Sequence, residues 1–230
     1  MTTQTDSSRL PSSDRQQVQS SLVEPRYARL AAIYDLWGRL TESDALRLAL
    51  QRAAICDGER VLEVGAGTGL LFRQAVACNP SGVSTAVDLS RSMLAVAAQR
   101  VAPARKGRVT LACADARRLP CPERTFDVVL NSFMFDLLPE EEFATVLNEF
   151  KRVLVDGGRI VIGTMAFGSK RVHKVWAWLA RTFPVLLTGC RPIALAPHLR
   201  RAGFIDITVE QVSQNTFPAE VLSGRLAPAT

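Results

Sequence analysis

In the run Val61-Leu-Glu63-Val-Gly65-Ala66-Gly67-Thr-Gly69, an acid stands two residues ahead of a glycine-rich turn, and a second acid, Asp88, closes the next apolar run. Glycines let a backbone turn tightly and let a ligand approach closely. Three nucleotide-binding patterns compete for such a loop. A phosphate-binding loop needs G-x-x-x-x-G-K-[ST], which the chain lacks. A dinucleotide fingerprint needs G-x-G-x-x-G, but the residue three after Gly67 is Leu70. The spacing is instead G-x-G-x-G. Glu63 would repel a pyrophosphate at close range and suits a ligand that carries positive charge. A further acid, Asp115, lies in Cys113-Ala-Asp-Ala116, and Asn131-Ser132 ends another apolar run. Each acid also has a plainer reading: Glu63 as a salt-bridge partner within a strand, Asp88 as a neighbour of a helix cap, Asp115 as a loop acid.

Short strands and helices must alternate to bring these residues together. Tyr27 to Asp35 has helical periodicity. A helix from about 42 to 55 follows, with Thr41-x-x-Asp44 fitting a capping box and Leu46, Ala49, Leu50 and Ala53 on one face. Strands are expected at Arg60–Val64, Val83–Asp88, Val109–Ala112, Phe126–Asn131 and Arg159–Thr164. Leu70 to Ala77 reads as a helix. Ser90 can cap a helix whose inner face is Leu94, Ala97, Ala98 and Val101. Pro139 and Glu140–Glu142 suit a helix N-terminus, with Phe143, Val146, Leu147, Phe150 and Leu154 as its stripe. This alternation predicts an α/β fold, a mostly parallel, doubly wound sheet covered on both faces. In such sheets ligands lie beyond the carboxyl ends of the strands, where Gly65–Gly69, Asp88, Asp115 and Asn131 fall.

The pattern h-h-E-h-G-x-G-x-G with Asp88 after it resembles the class I S-adenosylmethionine-dependent methyltransferases. Cys113-Ala-Asp-Ala116 with Leu119-Pro120, Thr125-Phe-Asp-Val-Val129 and Arg152-Val-Leu-Val-Asp-Gly-Gly-Arg159 are similar to further segments of that family. Tyr34-Asp35 and Phe217-Pro-Ala-Glu-Val221 resemble the ubiquinone/menaquinone C-methyltransferase group. The resemblance covers about residues 27 to 226. It implies a seven-stranded Rossmann-like sheet and S-adenosylmethionine, which has an ammonium and a sulfonium and no phosphate, with S-adenosylhomocysteine as product. It implies that Glu63 belongs to the ligand site and that Gly65, Ala66, Gly67 and Gly69 line the methionine and ribose part. Asp88 would accept from both ribose hydroxyls. Leu89 and Met93 would pack on the adenine, with Met93 equally readable as core. Asp115 and the Ala116 amide would meet the adenine edge, Asn131 and Ser132 the methionine end, and Tyr34 would close over the ligand or simply pack its helix. A catalytically silent S-adenosylmethionine-binding module is the alternative, and an NAD-dependent oxidoreductase a weaker one.

Methyl transfer from a sulfonium releases a neutral leaving group. Placement of the two reacting atoms can therefore do most of the work, and a base matters only when the nucleophile must first lose a proton. No catalytic dyad is visible. The weak candidates are Asp136, which could equally cap a helix, and His173, which could equally be a solvated residue. The quinone group carries Arg-Asn after the fourth strand, whereas this chain has Ser132-Phe-Met-Phe-Asp136, a departure that counts against quinone-ring C-methylation. Phe133, Met134 and Phe135 could face an apolar acceptor or fill the core. Residues 170–181 read as an amphipathic helix with Val172, Val175, Trp176 and Leu179 on one face and Arg171, Lys174, Trp178 and Arg181 on another. That pattern suits a membrane surface or a lid with solvated cations.

The formal net charge is +6, from 28 Lys+Arg against 22 Asp+Glu. Eight basic residues and no acid lie between Gly157 and Ile205, so the other 20 basic residues are outnumbered by all 22 acids. The cofactor half is thus slightly acidic, and the surplus sits on the acceptor side. That points to a small-molecule or lipid-like acceptor with anionic character, or to peripheral contact with an anionic lipid surface. No recognised nucleic-acid-binding module accompanies the charge. The five cysteines form no CxxC pair and read as reduced, mostly buried side chains. The two histidines show no zinc-ligand spacing, so no metal is expected. No apolar stretch reaches membrane-spanning length. Residues 1–22 read as a disordered tail without a secretory signal, ahead of a single methyltransferase domain over 23–230 with a basic acceptor-side insert at about 166–191. These features suggest a cytoplasmic protein.

Overall fold

A computed structural model describes residues 41–104, 107–167 and 190–228. The expected tail, the helix around Tyr34 and the basic helix carrying His173 lie outside the described residues.

The chain alternates as predicted. Helix α1 (Ser43–Ala53) precedes β1 (Arg60–Val64), α2 (Leu70–Cys78), β2 (Val83–Asp88), α3 (Arg91–Val101), β3 (Arg108–Cys113) and β4 (Phe126–Ser132). Then come α4 (Phe143–Val153), β5 (Leu154–Met165), α5 (Ala196–Arg201), β6 (Phe204–Gln214) and β7 (Phe217–Leu226). Seven strands form one sheet in the order β3-β2-β1-β4-β5-β7-β6. β7 runs antiparallel to both its neighbours, and the remaining pairings are parallel. The chain winds outward from β1 through β2 to β3, then crosses to β4 on the other side. The switch point therefore lies between β1 and β4, beside the glycine turn.

Both faces of the sheet are covered, so strand interiors are apolar on both sides. On one face Leu62, Val129, Ile160, Ile162 and Leu222 pack beneath α4. On the other, Val61, Val128, Leu130, Val161 and Val221 pack beneath α1 through Ala45, Leu46, Ala49 and Ala53. α4 buries Phe143, Val146, Leu147, Phe150 and Val153, each contributing about 1.5–3 kcal/mol on full burial. Phe135 stands edge-on to Phe143 and Phe150, with centroids 5.2 and 5.9 Å apart.

Several sequence expectations are corrected. The capping box at Thr41 does not form: the N-cap is Glu42, without a side-chain cap bond. The exposed N–H of Asp44 is instead taken by Gln214 Oε1 at 2.8 Å, a partner 170 residues away. Ala98 is exposed, and Met93 takes its place on the inner face of α3. Leu154 belongs to β5, not to the α4 stripe, because the strand begins there and carries Asp156-Gly-Gly inside it as a bulge. The pairing jumps from Phe126↔Leu154 to Val128↔Arg159, with Gly157 at φ +73° absorbing the extra residues. The cysteines are mostly not buried: Cys56, Cys78 and Cys113 are exposed, and only Cys190 is buried. Ser90 does cap α3, accepting from Met93 N at 3.3 Å.

Candidate functional site

The glycine turn leaves β1 under tension that only glycines relieve. Gly65, Gly67 and Gly69 have φ of +71°, +53° and +78°, a region costly for other residues. Gly65 N and Ala66 N both donate to Val87 O, at 2.8 and 3.2 Å, which ties the turn to the tip of β2. The three glycines differ in what surrounds them. A Cβ on Gly65 would lie 2.8 Å from Met134 Cβ, and one on Gly69 would lie 2.9 Å from Ala97 Cβ. A Cβ on Gly67 would meet nothing within 4 Å. Gly65 and Gly69 are thus required by packing, while Gly67 borders open space that a ligand can enter.

Asp88 closes the loop. Its Oδ2 accepts from Gly67 N at 2.7 Å and its Oδ1 from Ser90 N at 2.8 Å. Burial pushes its carboxyl up, against the pull of those N–H groups. Glu63 is fully buried, and neither of its carboxyl oxygens has a hydrogen-bond partner. Burial, and then the charge of Asp88, hold it well above the usual carboxylate range. A buried polar group without a partner costs stability. A cation entering between these carboxyls would satisfy both.

At the tip of β4, Asn131 is fully buried. Its Nδ2 donates to Val64 O at 2.6 Å, locking β4 to β1, while its Oδ1 is left without a partner. Ser132 beside it is half-buried. Phe133 follows with φ +55°, a strained conformation for a buried aromatic, of the kind that clusters at functional sites. Leu89 is 51% exposed, a large apolar side chain left at the rim, whereas Met93 is 4% exposed and packed inward. Asp115 and Ala116 are half-buried beyond β3. Both Asp115 oxygens are engaged by Arg117, with Nε at 2.9 and 3.0 Å and Nη2 at 2.6 Å. Arg117 also reaches Glu142 at 2.8 Å. This clamp was not foreseen from the sequence.

Asp136 is no helix cap. It lies fully buried in a short 3-10 turn, Phe135–Leu137, and its Oδ2 accepts from Met165 N at 2.8 Å. Phe135 is core, Phe133 packs with Phe217, and Met134 lies against Gly65. Two groups near Asp136, one buried and one half-buried, escaped the sequence reading. These are Thr164, and Glu220 directly opposite it across the β5–β7 pairing. The signal that could have found Glu220 is the one that found Glu63, an acid inside an apolar strand run. A groove lined by Glu123, Arg124, Lys151 and Arg152 lies at the amino edge of the sheet, remote from all of these residues.

Residues 61–158 match the methyltransferase domain family. A ubiquinone/menaquinone biosynthesis C-methyltransferase UbiE from Syntrophotalea carbinolica is 33% identical over 142 residues, covering 60% of this chain and 59% of that one. A phosphatidylethanolamine N-methyltransferase from Cereibacter sphaeroides is 40% identical over 136 residues, covering 57% and 62%. A demethylmenaquinone methyltransferase from Anoxybacillus flavithermus is 31% identical over 188 residues, covering 70% and 76%. The chain thus spans about three fifths of the length of the first two relatives. Among solved structures, that of the S-adenosylmethionine-dependent methyltransferase SibL aligns with a TM-score of 0.68 at 25% identity, over 87% of this chain and 62% of that one. With the glycine turn, the acid at the end of β2 and the sheet order in place, the chain belongs to the class I S-adenosylmethionine-dependent methyltransferases and resembles their UbiE group.

Proposed function

We propose that the protein binds S-adenosylmethionine at the carboxyl ends of β1, β2 and β4 and transfers its methyl group to a small-molecule or lipid-like acceptor. The observation that carries this reading is Glu63, a fully buried carboxyl with two unpartnered oxygens beside Asp88, next to the open side of Gly67. A phosphate ligand would meet two acids there. A ligand with an ammonium and a sulfonium meets complementary charge. Glu63 and the free Oδ1 of Asn131 would face the methionine end, and the backbone at Gly65, Ala66 and Gly67 the ribose. Asp88 would take the ribose hydroxyls on the lone pairs its N–H partners leave free. Leu89 and Met93 would flank the adenine. For Asp115 to take the adenine amino group, its Arg117 clamp would have to share an oxygen. Tyr34 and Ser132 are proposed contacts on the same grounds of resemblance.

When bound, S-adenosylmethionine supplies a methyl group on a cationic sulfur that leaves as a neutral thioether. The chain's own part is to orient, to exclude water and to place the acceptor. The acceptor would lie over the tips of β4 and β5, beside Asp136, in a single domain over 23–230 whose sequence carries the basic acceptor-side insert at about 166–191. The relatives' names divide between carbon and nitrogen acceptors, and the positive surplus of the acceptor half favours one with anionic character. Contact with an anionic membrane surface from a cytoplasmic location fits the same surplus. No helix among the described residues is long and apolar enough to cross a membrane.

Calorimetry with S-adenosylmethionine, S-adenosylhomocysteine and NAD tests the cofactor. Binding of NAD alone would overturn the reading. Radiolabelled methyl transfer into metabolite and lipid extracts tests turnover. Tight binding of both sulfur ligands with no label transferred would favour a silent binding module.

A further inference from the structure

Arg117 stands two residues after Asp115 and grips its carboxyl. The backbone N–H of Arg117 donates to Asp115 Oδ1 at 2.9 Å. Its Nε donates to Oδ1 and Oδ2 at 2.9 and 3.0 Å, and its Nη2 donates to Oδ2 at 2.6 Å. Its Nη1 donates instead to Glu142 Oε1 at 2.8 Å, at the N-cap of α4. The guanidinium is thus held from two sides, by the acid it grips and by the start of a helix. The rest of the segment between β3 and β4 is fastened to α4 by other groups. Leu119 N donates to Glu149 Oε2 at 2.7 Å, and Arg152 donates to Leu119 O and Cys121 O at 3.0 and 2.8 Å. Arg117 is therefore not what keeps the segment on the helix, and a half-exposed ion pair adds little to stability. What it fixes is the direction of the Asp115 carboxyl.

An ionised carboxylate accepts at about four lone-pair positions and donates at none. Arg117 fills both positions on Oδ1 and one on Oδ2, which leaves one position on Oδ2 open. Against the opposing effect of burial, the hydrogen bonds and charge of Arg117 hold this carboxyl below its ordinary range, so it stays an acceptor. One open acceptor position takes a single N–H and repels an oxygen. It matches the exocyclic amino group of adenine and rejects the carbonyl that stands in its place in hypoxanthine. We propose that Arg117, anchored on Glu142, is a positioning residue that makes the site selective for an aminopurine over an oxopurine cofactor, by aiming the open lone pair of Asp115. This inference rests on the methyltransferase reading, within which Asp115 meets the adenine edge.

The test is calorimetry on the full chain with S-adenosylhomocysteine and S-inosylhomocysteine, which differ in that amino group and carbonyl. Neither carries a sulfonium, so a change of charge beside the site does not by itself favour one of them. The parent should bind the adenosyl ligand about 10- to 100-fold more tightly, the scale of a hydrogen bond to a charged group. Arg117→Met keeps the backbone N–H and removes the guanidinium. It should weaken the adenosyl ligand about 3- to 10-fold, because the carboxyl must then be ordered on binding, and leave the inosyl ligand no weaker, which also reports that the variant is folded. Arg117→Lys keeps the charge but cannot grip both oxygens, so it should behave like Arg117→Met. On an Asp115→Ala background, Arg117→Met should cost nothing further. Equal weakening of both ligands, unchanged adenosyl affinity, full selectivity in Arg117→Lys, or the same loss repeated on Asp115→Ala would overturn the positioning role and leave the methyltransferase reading standing. Equal binding of the two ligands by the parent would do the same, since Asp115 would then not read the base. If the parent binds neither ligand, the methyltransferase reading fails and the selectivity falls with it.

Discussion

Glu63→Gln separates folding from binding, because the same buried carboxyl should oppose one and support the other. Glutamine keeps the shape and removes the charge. In the unfolded chain the carboxyl ionises near its ordinary 4.5, whereas in the folded chain burial and Asp88 hold it well above that value. A raised acid contributes stability that is fully present below 4.5 and is lost as pH rises toward the folded value. Within that window each pH unit costs up to about 1.4 kcal/mol. The ligand-free variant should therefore match the parent near pH 4.5 and exceed its Tm at about pH 8. Binding should move the opposite way. Removing one member of a buried charge pair costs about 2–5 kcal/mol, roughly 30- to 5,000-fold in affinity. Calorimetry against both S-adenosylmethionine and S-adenosylhomocysteine locates the contact, since the second lacks the sulfonium but keeps the ammonium. Equal losses place Glu63 at the ammonium, and a loss confined to the first places it at the sulfur. An affinity within threefold of the parent for both, together with a lower Tm at pH 8, would falsify the assignment.

Four further substitutions have outcomes that follow from the geometry. Asp88→Ala removes the acceptor of Gly67 N and Ser90 N and should weaken S-adenosylmethionine by about 1–3 kcal/mol; unchanged affinity in calorimetry would remove Asp88 from the site. Gly69→Ala forces a Cβ to 2.9 Å from Ala97 Cβ at a positive φ and should lower Tm by several degrees. Gly67→Ala meets open space, so it should cost only about 1–2 kcal/mol of stability but abolish measurable cofactor binding; the reverse ranking in thermal melts would contradict this placement. Arg159 donates to Glu59 at 2.9 and 2.7 Å and to the last carbonyls of α1, Ala53 O and Ala54 O. Against the opposing effect of its burial, hydrogen bonds from Arg159 and from Cys56 N hold the Glu59 carboxyl below its ordinary value. That contribution is present above about 4.5 and disappears as pH falls. Arg159→Met should destabilise by about 2 kcal/mol at pH 7 with a smaller loss in acid, and pH-independent denaturant midpoints would refute the pairing.

The fold was largely legible because its signals are local. Short apolar runs ending in glycine or acid, separated by segments of helical period, impose a parallel sheet whatever the distant residues do. Glu63, Gly65, Gly67, Gly69 and Asp88 were legible for the same reason, since one β-turn-α unit and the next strand tip hold them within a few ångströms. Errors fell where a distant partner outbid a local rule. Gln214 replaced the capping box of α1, a bulge drew Leu154 into β5, and the amphipathic count on α3 chose Ala98 over Met93.

By itself, then, the sequence determined the class of sheet, the glycine turn and the sign of the ligand's charge. Backbone sterics at glycine and the repulsion between an acid and a phosphate act at neighbouring positions. Only the tertiary structure decided that Glu63 has no partner, that Asp115 is clamped by Arg117, that Asp136 takes the N–H of Met165, and that Thr164 faces Glu220 across β5 and β7. Those facts depend on which strands lie side by side and on how completely water is excluded, and both follow from packing between elements that are separate in the sequence.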